Sequence, residues 1–338
     1  MRELTDRIKT IGDKHPRPRN PKEYISTWIE KDVLDEEIVD AFVLILRTRG
    51  CAWALKSGCS MCGYLNDAQK KKVEEKDLLL QFENAMKQYS NEKIVKIYTS
   101  GSFFDEEEVP KNVQDKILKK LAEKSKKIIV ETRPEFVTRK GLEGIENLEV
   151  ALGLESANDF VLENSINKGF KLKDYIKAAS ILKDLGIGVK TYLLVKPPFL
   201  SEREAILDAV NSAKTVADYT QTISFNPVNV QRFTLVEKLW RNGEYRTPWL
   251  WSVVEVLRQS RTLKGLRIMS SPTAGGTKKG PFNCGKCDKE VLKAIEEFSL
   301  TQDISYLDAP DCECKNLWED ILNIECFTKT QGDLLKLI

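Results

Sequence analysis

Three cysteines that lie close together carry the clearest chemical signal in the sequence. Cys51, Cys59 and Cys62 follow a Cys-x7-Cys-x2-Cys spacing. Thiolates are the usual ligands of iron–sulfur clusters, and three of them leave one iron of a [4Fe–4S] cluster open to a further ligand. A structural zinc ion would need a fourth ligand from elsewhere in the chain. We predict a [4Fe–4S] cluster on these residues, with a zinc site or three unrelated thiols as the alternatives.

Four further cysteines near the end of the chain form two short chelating pairs. Cys284 and Cys287 are separated by two residues, and Cys312 and Cys314 by one. Four thiolates suit a tetrahedral structural zinc ion, which would hold together a tail that otherwise lacks a strong core. A second iron–sulfur cluster and unmetallated cysteines are the alternatives. The eighth cysteine, Cys326, lies in an apolar stretch and is interpreted as a buried thiol.

Alternating apolar and amphipathic stretches must position these cysteines. Six apolar runs are typical of buried strands, and the stretches between them are typical of helices. This alternation predicts an α/β fold with a parallel sheet that curves into a barrel or an open half-barrel. The predicted strands are 41–46, 94–99, 127–131, 148–154, 188–195 and 220–225. The predicted helices lie near 75–89, 107–124, 158–164, 172–185 and 201–217.

The pattern divides the chain into three regions. Residues 1–40 are predicted to be an N-terminal helical lead-in, with an extended proline-rich stretch at 15–21. Residues 41–232 hold the predicted barrel, and residues 233–338 form a C-terminal extension with the four-cysteine metal site. The extension is predicted to contain helices near 232–241 and 247–261 and a short strand at 266–269.

Polar residues gather where the predicted strands end. In parallel α/β folds the carboxyl ends of the strands form the rim that carries the chemistry. The three-cysteine loop, residues 47–73, follows the first predicted strand. The residues that follow the next three strands are Ser100, Gly101 and Ser102, then Glu131 and Arg133, then Glu155 and Ser156. We predict an active-site face at this rim.

Charge and hydropathy exclude some partners. The chain has 53 basic and 51 acidic residues and a net charge of +2, so the whole-chain charge does not argue for nucleic acid. Local patches could still bind it. No apolar run reaches the roughly 18 residues of a membrane span, and the N-terminus lacks the apolar core of a signal peptide. We expect a cytoplasmic protein that does not interact with membranes.

A glycine-rich loop with two lysines, residues 275–280, lies in the C-terminal extension. It lacks the residue order of a phosphate-binding P-loop, which argues against nucleotide hydrolysis. Lys278 and Lys279 beside flexible glycines could contact an RNA backbone, and a plain surface loop is the alternative.

The sequence around the first three cysteines resembles the radical SAM enzymes, which use S-adenosylmethionine (SAM). Those enzymes usually space their cysteines Cys-x3-Cys-x2-Cys, and the longer first gap here is similar to that of relatives of the Elongator radical SAM subunit. Within that branch the chain resembles the radical SAM subunits of archaeosine synthase over nearly its whole length. The segments that carry the resemblance are RTRGCAWALKSGCSMCGY (47–64), YTSGSFF (98–104), ETRPEFVT (131–138), GLESANDFVLENSINKGF (153–170), VNVQRFTLVEKLWRNGEYRTP (228–248), NCGKCDKEVLKAIEEFS (283–299) and DCECKNLW (311–318).

This resemblance implies a radical SAM partial (β/α)6 barrel with a [4Fe–4S] cluster and SAM as cofactors. Glu131 would bind the amine or ribose of SAM, and Arg133 would bind its carboxylate. Glu155 and Ser156 would face the same cavity, and Met61 would pack on the adenine. A structural ion pair at the rim and packing of Met61 within its own loop are the alternatives. The full set of implied SAM contacts is Ser100, Gly101, Ser102, Glu131, Arg133, Glu155, Ser156 and Met61.

The activity implied by the resemblance is a step in tRNA modification. The substrate would be a tRNA whose D-arm carries a 7-deazaguanine with an attached lysine. A 5′-deoxyadenosyl radical would abstract hydrogen from the lysine, and carbon–nitrogen cleavage would leave archaeosine. The implied partners are the subunit that transfers the lysine and an electron donor. No general base is evident. The alternatives are another Elongator-like radical SAM reaction on tRNA or a small molecule, and a non-catalytic metal-stabilised tRNA-binding module.

Overall fold

In the computed structural model, one curved sheet of eight strands forms the centre of the molecule. The structure describes residues 2–12, 19–69, 71–308 and 312–325. The strands are β1 (Ser26–Leu34), β2 (Glu37–Ile45), β3 (Ile94–Tyr98), β4 (Lys127–Thr132), β5 (Leu148–Glu155), β6 (Gly188–Val195), β7 (Thr222–Pro227) and β8 (Arg267–Ser270). Their order in the sheet is the order in the chain, and all neighbours are parallel except the β1–β2 hairpin.

Helices between the parallel strands cover the outer face of this sheet, and further helices lie before the sheet, in the cysteine loop and in the C-terminal extension. They are α1 (Arg2–Gly12), α2 (Ala52–Lys56), α3 (Glu75–Ala85), α4 (Lys111–Ala122), α5 (Asp159–Val161), α6 (Leu172–Asp184), α7 (Glu202–Val216), α8 (Leu235–Arg241), α9 (Leu250–Ser260), α10 (Asp288–Thr301) and α11 (Cys314–Ile324). A π-helical turn, Leu162–Ile166, continues α5. The predicted strands and helices are present with shifted bounds, and the predicted partial α/β barrel is confirmed. None of the helices that the structure describes is long and apolar enough to cross a membrane. The cytoplasmic location stays a prediction.

Alternation along each parallel strand separates a packed outer face from a polar inner face. In β3, Val95 and Ile97 are fully buried in the main core under the helices. Ile94 belongs to a small separate cluster on the other face of the sheet. Lys96 and Tyr98 share that inner face by the same alternation. The interior of the half-barrel is therefore lined partly by charged and hydroxyl groups.

The helical prediction for the lead-in was wrong over residues 26–34, which form strand β1. Asp35 and Glu36 both adopt positive φ angles, 50° and 66°, and close a two-residue hairpin onto β2. Such turns usually use Asn or Gly, so this one gave no strong sequence signal. Helix α1 confirms the helical prediction for residues 2–12 only. Residues 13–18, which hold most of the predicted proline-rich stretch, lie outside the described residues.

Strand β1 closes the lower, amino-terminal end of the half-barrel through buried charges. The Asp32 carboxylate, only 1% exposed, forms ion pairs with Lys96 on β3 and Arg267 on β8. The Lys96 Nζ atom also donates to Glu30 Oε1 at 2.6 Å. Burial opposes the charge on Asp32, but Lys96, Lys190 and Arg267 outweigh it and lower the pKa of this carboxyl. Side-chain charges thus join the two edges of a sheet that backbone hydrogen bonds leave open.

The C-terminal extension packs onto the same core. Strand β8 pairs with β7, and α10 buries Val291, Ile295 and Phe298 completely. The expectation that this tail lacks a strong core was therefore wrong, because α10 has its own apolar face. The sheet crosses both predicted region boundaries, at 40 and 232, through β1 and β8. The division into three regions stays a prediction. Cys326 lies outside the described residues.

Candidate functional site

The three-cysteine loop leaves the carboxyl end of β2, at the rim where the sequence places it. Cys51 immediately precedes the short helix α2, and the backbone N–H of Cys62 donates to the carbonyl of Cys59 at 3.3 Å. All three thiols are half-buried. Burial raises the pKa of Cys59 to about 11 and that of Cys62 to about 12. Arg133 and Lys168 act in the opposite direction on Cys59, so two cations lie near these thiols.

A buried carboxylate fastens the start of this loop to the rim. Glu108 accepts hydrogen bonds from Thr48 Oγ1 at 2.5 Å and from the Ser102 backbone N–H at 2.6 Å. Its burial raises its pKa to about 7. Glu108 was not predicted from the sequence, because Glu108 is the last residue of an acidic run that resembles the exposed start of a helix. The only sequence signal was its position just after the Ser-Gly-Ser segment.

Asn167 holds the middle of the loop from the other side. Its side-chain Nδ2 donates to Ser57 Oγ at 2.8 Å and to the Gly58 carbonyl at 2.6 Å. Its own carbonyl accepts from Trp53 Nε1 at 2.7 Å. A Cβ at Gly169 would lie 2.6 Å from the Trp53 ring, so only glycine fits beneath this indole. These contacts were missed because they join residues more than 100 positions apart.

The Ser-Gly-Ser segment after β3 lies directly against the cysteine loop. A Cβ at Gly101 would collide with the Cα of Cys51, which explains the glycine. Ser102 is fully enclosed, and its hydroxyl accepts from the Arg133 backbone N–H at 3.1 Å. Ser100 is also buried. This segment therefore supports the loop through close backbone contact, and the hydroxyl of Ser102 already has a partner.

Two carboxylates and one amine mark the inner face beneath the loop. Glu131 Oε1 accepts from the Thr99 backbone N–H at 3.2 Å. Burial, and then the charges of Glu108 and Glu155, raise its pKa to about 8. Glu155 pairs with Lys168 at 2.8 Å, and its φ of 76° accompanies a bulge in β5. Lys168 was not predicted as a site residue.

The Arg133 side chain makes two hydrogen bonds and lies near two aromatic rings. Its Nε donates to Glu135 Oε1 at 2.6 Å, and its Nη2 donates to the Lys168 carbonyl at 3.1 Å. The guanidinium also lies 5.1 Å from the Phe170 ring centre and 5.9 Å from that of Trp53. These contacts correspond to the structural ion pair at the rim. Its role as a SAM ligand stays a prediction.

The structure separates Ser156 from the rest of the predicted set. Its hydroxyl donates to Asp208 Oδ1 of α7 at 2.9 Å, on the outer side of the sheet. The prediction that Ser156 shares a cavity with Glu155 was wrong, because consecutive residues at a strand end point to opposite faces. Met61 is half-buried and packs against the main core. This contact corresponds to the alternative of packing, and adenine binding by Met61 stays a prediction.

The loop thiols do not form a compact single-ion site in the part of the chain that the structure describes. Among the described residues, only the tail cysteines bring three or more possible metal-ligand atoms within 4.8 Å of one another. The Sγ atoms of Cys51, Cys59 and Cys62 therefore do not all lie within that distance of one another. Thiolates around several irons are necessarily farther apart than thiolates around one. The nearby cations Arg133 and Lys168 favour the thiolate form of cysteine, which is the form that binds iron or zinc.

The four tail cysteines are arranged differently. Their Sγ atoms lie 3.9 Å apart for Cys284–Cys287, 3.7 Å for Cys284–Cys312 and 3.6 Å for Cys287–Cys314. A tetrahedron with zinc–sulfur bonds of about 2.3 Å has edges of about 3.8 Å. Trp251 Nε1 donates to Cys314 Sγ at 3.3 Å. This set fits a single tetrahedral ion and is too compact for a second iron–sulfur cluster.

Comparisons with known proteins agree with this architecture. The model of the Radical SAM superfamily matches residues 45–210. The chain is 42% identical to archaeosine synthase subunit beta of Methanosarcina acetivorans over 96% of both chains. It is 39% identical to archaeosine synthase subunit beta of Thermococcus kodakarensis over 87% of this chain and 95% of that one. A structure of Methanocaldococcus infernus Elp3 with an N-terminal deletion shows 19% identity and a TM-score of 0.49, and it covers 65% of this chain and 59% of that one. The resemblance to radical SAM subunits of archaeosine synthase is confirmed.

Proposed function

Because this chain belongs to the family of archaeosine synthase subunit beta, within the radical SAM superfamily, we propose that it makes archaeosine in tRNA. The substrate is a tRNA whose D-arm carries a 7-deazaguanine with an attached lysine. The reaction cleaves a carbon–nitrogen bond of that adduct, as a lyase does, and leaves the formamidine of archaeosine on the base.

One observation supports the proposal above the others: a loop with three thiols, held by hydrogen bonds over a polar interior to which the described residues contribute no imidazole. The only histidine in the chain is His15, in the lead-in. Hydrolysis would call for a placed acid–base pair. Cleavage that begins with hydrogen-atom abstraction needs positioning and exclusion of water instead.

Cys51, Cys59 and Cys62 would hold a [4Fe–4S] cluster, and SAM would bind beside it. When bound and reduced, these cofactors supply the 5′-deoxyadenosyl radical for abstraction of hydrogen from the lysine side chain. The protein's part is to hold the loop still. Glu108 and Asn167 do so from opposite sides, through the contacts to Thr48, Ser57 and Gly58.

The rim residues have separate tasks in this proposal. Glu131 accepts the positively charged amine of SAM, since its carboxyl lies on the inner face and, among the described residues, one backbone N–H donates to it. Backbone groups of Ser100 and Gly101 border the same space. Glu155 and Lys168 form a pair that presents both charges to the interior. Arg133 acts as a brace, joining the end of β4 to the Lys168 carbonyl.

The four tail cysteines would bind zinc as a structural ion. The edge lengths of the sulfur tetrahedron support one ion, and both chelating pairs lie at the starts of helices α10 and α11, where the helix dipole favours thiolates. The partners in this proposal are the tRNA, the subunit that transfers the lysine and an electron donor.

Anaerobic reconstitution followed by incubation with lysine-modified tRNA tests the proposed function. The expected result is archaeosine in the nucleosides, detected by mass spectrometry, together with 5′-deoxyadenosine. Cys59→Ala should abolish both products. SAM cleavage without archaeosine would contradict the proposed substrate and favour another radical SAM reaction. Archaeosine formed by Cys59→Ala would contradict the role of the cysteine loop.

A further inference from the structure

We propose that an exposed basic surface beside the cysteine loop binds the phosphate backbone of the RNA substrate. The basic surface consists of Arg232, Arg241, Lys278 and Lys279, grouped around Trp240. This inference rests on the proposed function, because it takes RNA as the substrate, and it assigns that RNA a place on the molecule.

The two segments that build the basic surface concentrate positive charge. Residues 228–241 and 271–280 contain five basic residues and one acidic residue, a net charge of +4, whereas the whole chain carries only +2. The one carboxylate, Glu237, is used internally: it pairs with Arg241 at 2.8 Å and accepts from the Phe233 backbone N–H at 2.7 Å. The local field is therefore positive although the protein is nearly neutral.

The lysines stand on a loop with a defined conformation. The carbonyl of Lys279 accepts from the Val230 backbone N–H at 2.7 Å, and the carbonyl of Gly280 accepts from Thr247 Oγ1 at 2.6 Å. These bonds tie residues 275–280 to the chain on both sides of α8. In the part of the chain that the structure describes, Lys278 forms no ion pair. The loop thus presents exposed amines, and binding would require little further loss of backbone conformational entropy.

An aromatic side chain lies among these cations. The Lys279 Nζ atom is 5.6 Å from the ring centre of Trp240, which is half-buried. Burial raises the pKa of Glu237, but hydrogen bonds from Arg241 and the Phe233 backbone, and the charges of Arg241 and Lys279, outweigh it and lower this pKa, so both cations lie near Glu237. Cations interleaved with an indole are typical of nucleic-acid surfaces, where the charges contact phosphates and the ring contacts a base or sugar.

The basic surface is continuous with the three-cysteine loop. Gln231 Oε1 accepts from the Gly63 backbone N–H at 2.6 Å, next to Cys62. Asn66 Nδ2 donates to the Arg232 carbonyl at 3.0 Å, and the Val236 backbone N–H donates to the Ser60 carbonyl at 3.1 Å. A nucleotide whose base enters beneath the loop would therefore place its flanking phosphates over these cations.

Binding of an unmodified tRNA transcript tests this assignment without any need for catalysis. The assay uses the reconstituted full-length protein, alone and together with the lysine-transferring subunit, over a series of salt concentrations. Lys278→Glu with Lys279→Glu should weaken binding about tenfold or more and reduce the salt slope by about one to two. Lys278→Gln with Lys279→Gln should weaken it less. Circular dichroism shows whether each variant is folded.

Two exposed lysines on the outside of the barrel give a matched control. Lys116→Glu with Lys119→Glu, on α4, makes the same charge change and should keep tRNA affinity within about twofold. Equal binding by the wild type and the Lys278–Lys279 variants would overturn the surface but leave the proposed function intact. Loss of the subunit complex with unchanged tRNA affinity would make the surface a protein interface and also overturn the proposal. A wild-type protein that binds no tRNA in either form would contradict the proposed function itself.

Discussion

Of the two rim carboxyl groups whose pKa is raised, Glu131 has the larger shift. It is enclosed at the end of β4, where its carboxylate accepts a hydrogen bond from the Thr99 backbone N–H. Burial and the charges of Glu108 and Glu155 raise its pKa to about 8. Without a bound cation, Glu131 therefore stays protonated at neutral pH. A cationic ligand would favour its ionised form.

Glu131→Gln should make the cofactor-free protein more stable than the wild type at high pH. Because the folded pKa is raised above that of the unfolded chain, the folded state holds the extra proton, and the wild type loses stability as pH rises from about 4.5 to about 8. Glutamine resembles the protonated acid and has no proton to lose. At about pH 8 the variant should gain on the order of 4 kcal/mol in free energy of unfolding, and at about pH 5 less than about 1 kcal/mol.

Urea unfolding of the cofactor-free proteins across this pH range measures the effect. Glu143→Gln, at an exposed position, serves as the control and should not change the pH dependence. A constant difference between Glu131→Gln and the wild type at all pH values would show that Glu131 does not titrate as argued.

Residues of the site differ in how far the sequence reveals them. Cys51, Cys59 and Cys62 could be predicted as metal ligands because their residue type and their spacing in the sequence indicate that function. Glu108 and Asn167 act by contacting backbone groups brought close only by the fold, so no local pattern identifies them. Long-range contacts of this kind need the three-dimensional arrangement.

At the scale of elements, the β1–β2 hairpin closes the half-barrel. The local sequence of β1 is ambiguous, since charged residues occupy its inner face. Asp32 and Glu30 find their partner in Lys96, which lies two strands away and is only 2% exposed. The parallel βα units were predictable because each is amphipathic with the right period. The hairpin was not, because buried ion pairs take the place of an apolar stripe.

Asp32→Asn should destabilise the protein strongly. The substitution keeps the side-chain shape but leaves Lys96 and Arg267 without their shared counter-ion, inside the sheet. Breaking one partner of a buried ion pair typically costs about 3–5 kcal/mol. The expected result is a loss of that order in the free energy of unfolding, measured with urea at neutral pH.

The same hairpin supplies a matched control for this substitution. Asp40 pairs with Lys31 at 2.8 Å, but both side chains are more than half exposed. Asp40→Asn should change the free energy of unfolding by less than about 1 kcal/mol. If both variants lost equal stability, closure of the half-barrel by Asp32 would not be the cause.

At the scale of the whole molecule, a buried series of hydrogen bonds and one ion pair joins the tail to the barrel. Trp318 Nε1 of α11 donates to Ser252 Oγ at 2.8 Å, and that hydroxyl donates to Glu202 Oε2 at 2.5 Å. Glu202 then pairs with Lys196, just beyond β6, at 2.6 Å. This series of contacts links the tail to a strand end at the rim. Its residues lie on three helices and on the segment after β6, which is why the sequence predicted the cysteine pairs but not the docking of the tail.

The two proposed metal sites should be separable by mutation. Cys287→Ser removes one corner of the tail tetrahedron, so the protein should lose its zinc and keep its iron. Cys59→Ala should do the reverse, because it changes only the loop at the rim. Metal analysis of the reconstituted proteins measures both contents. Loss of zinc should also release α11, which unfolds the helical backbone at Lys315 so that trypsin cleaves there and lowers the unfolding temperature by roughly 5 °C. Zinc retained by Cys287→Ser, or iron lost with it, would show that the four thiolates do not form an independent structural site.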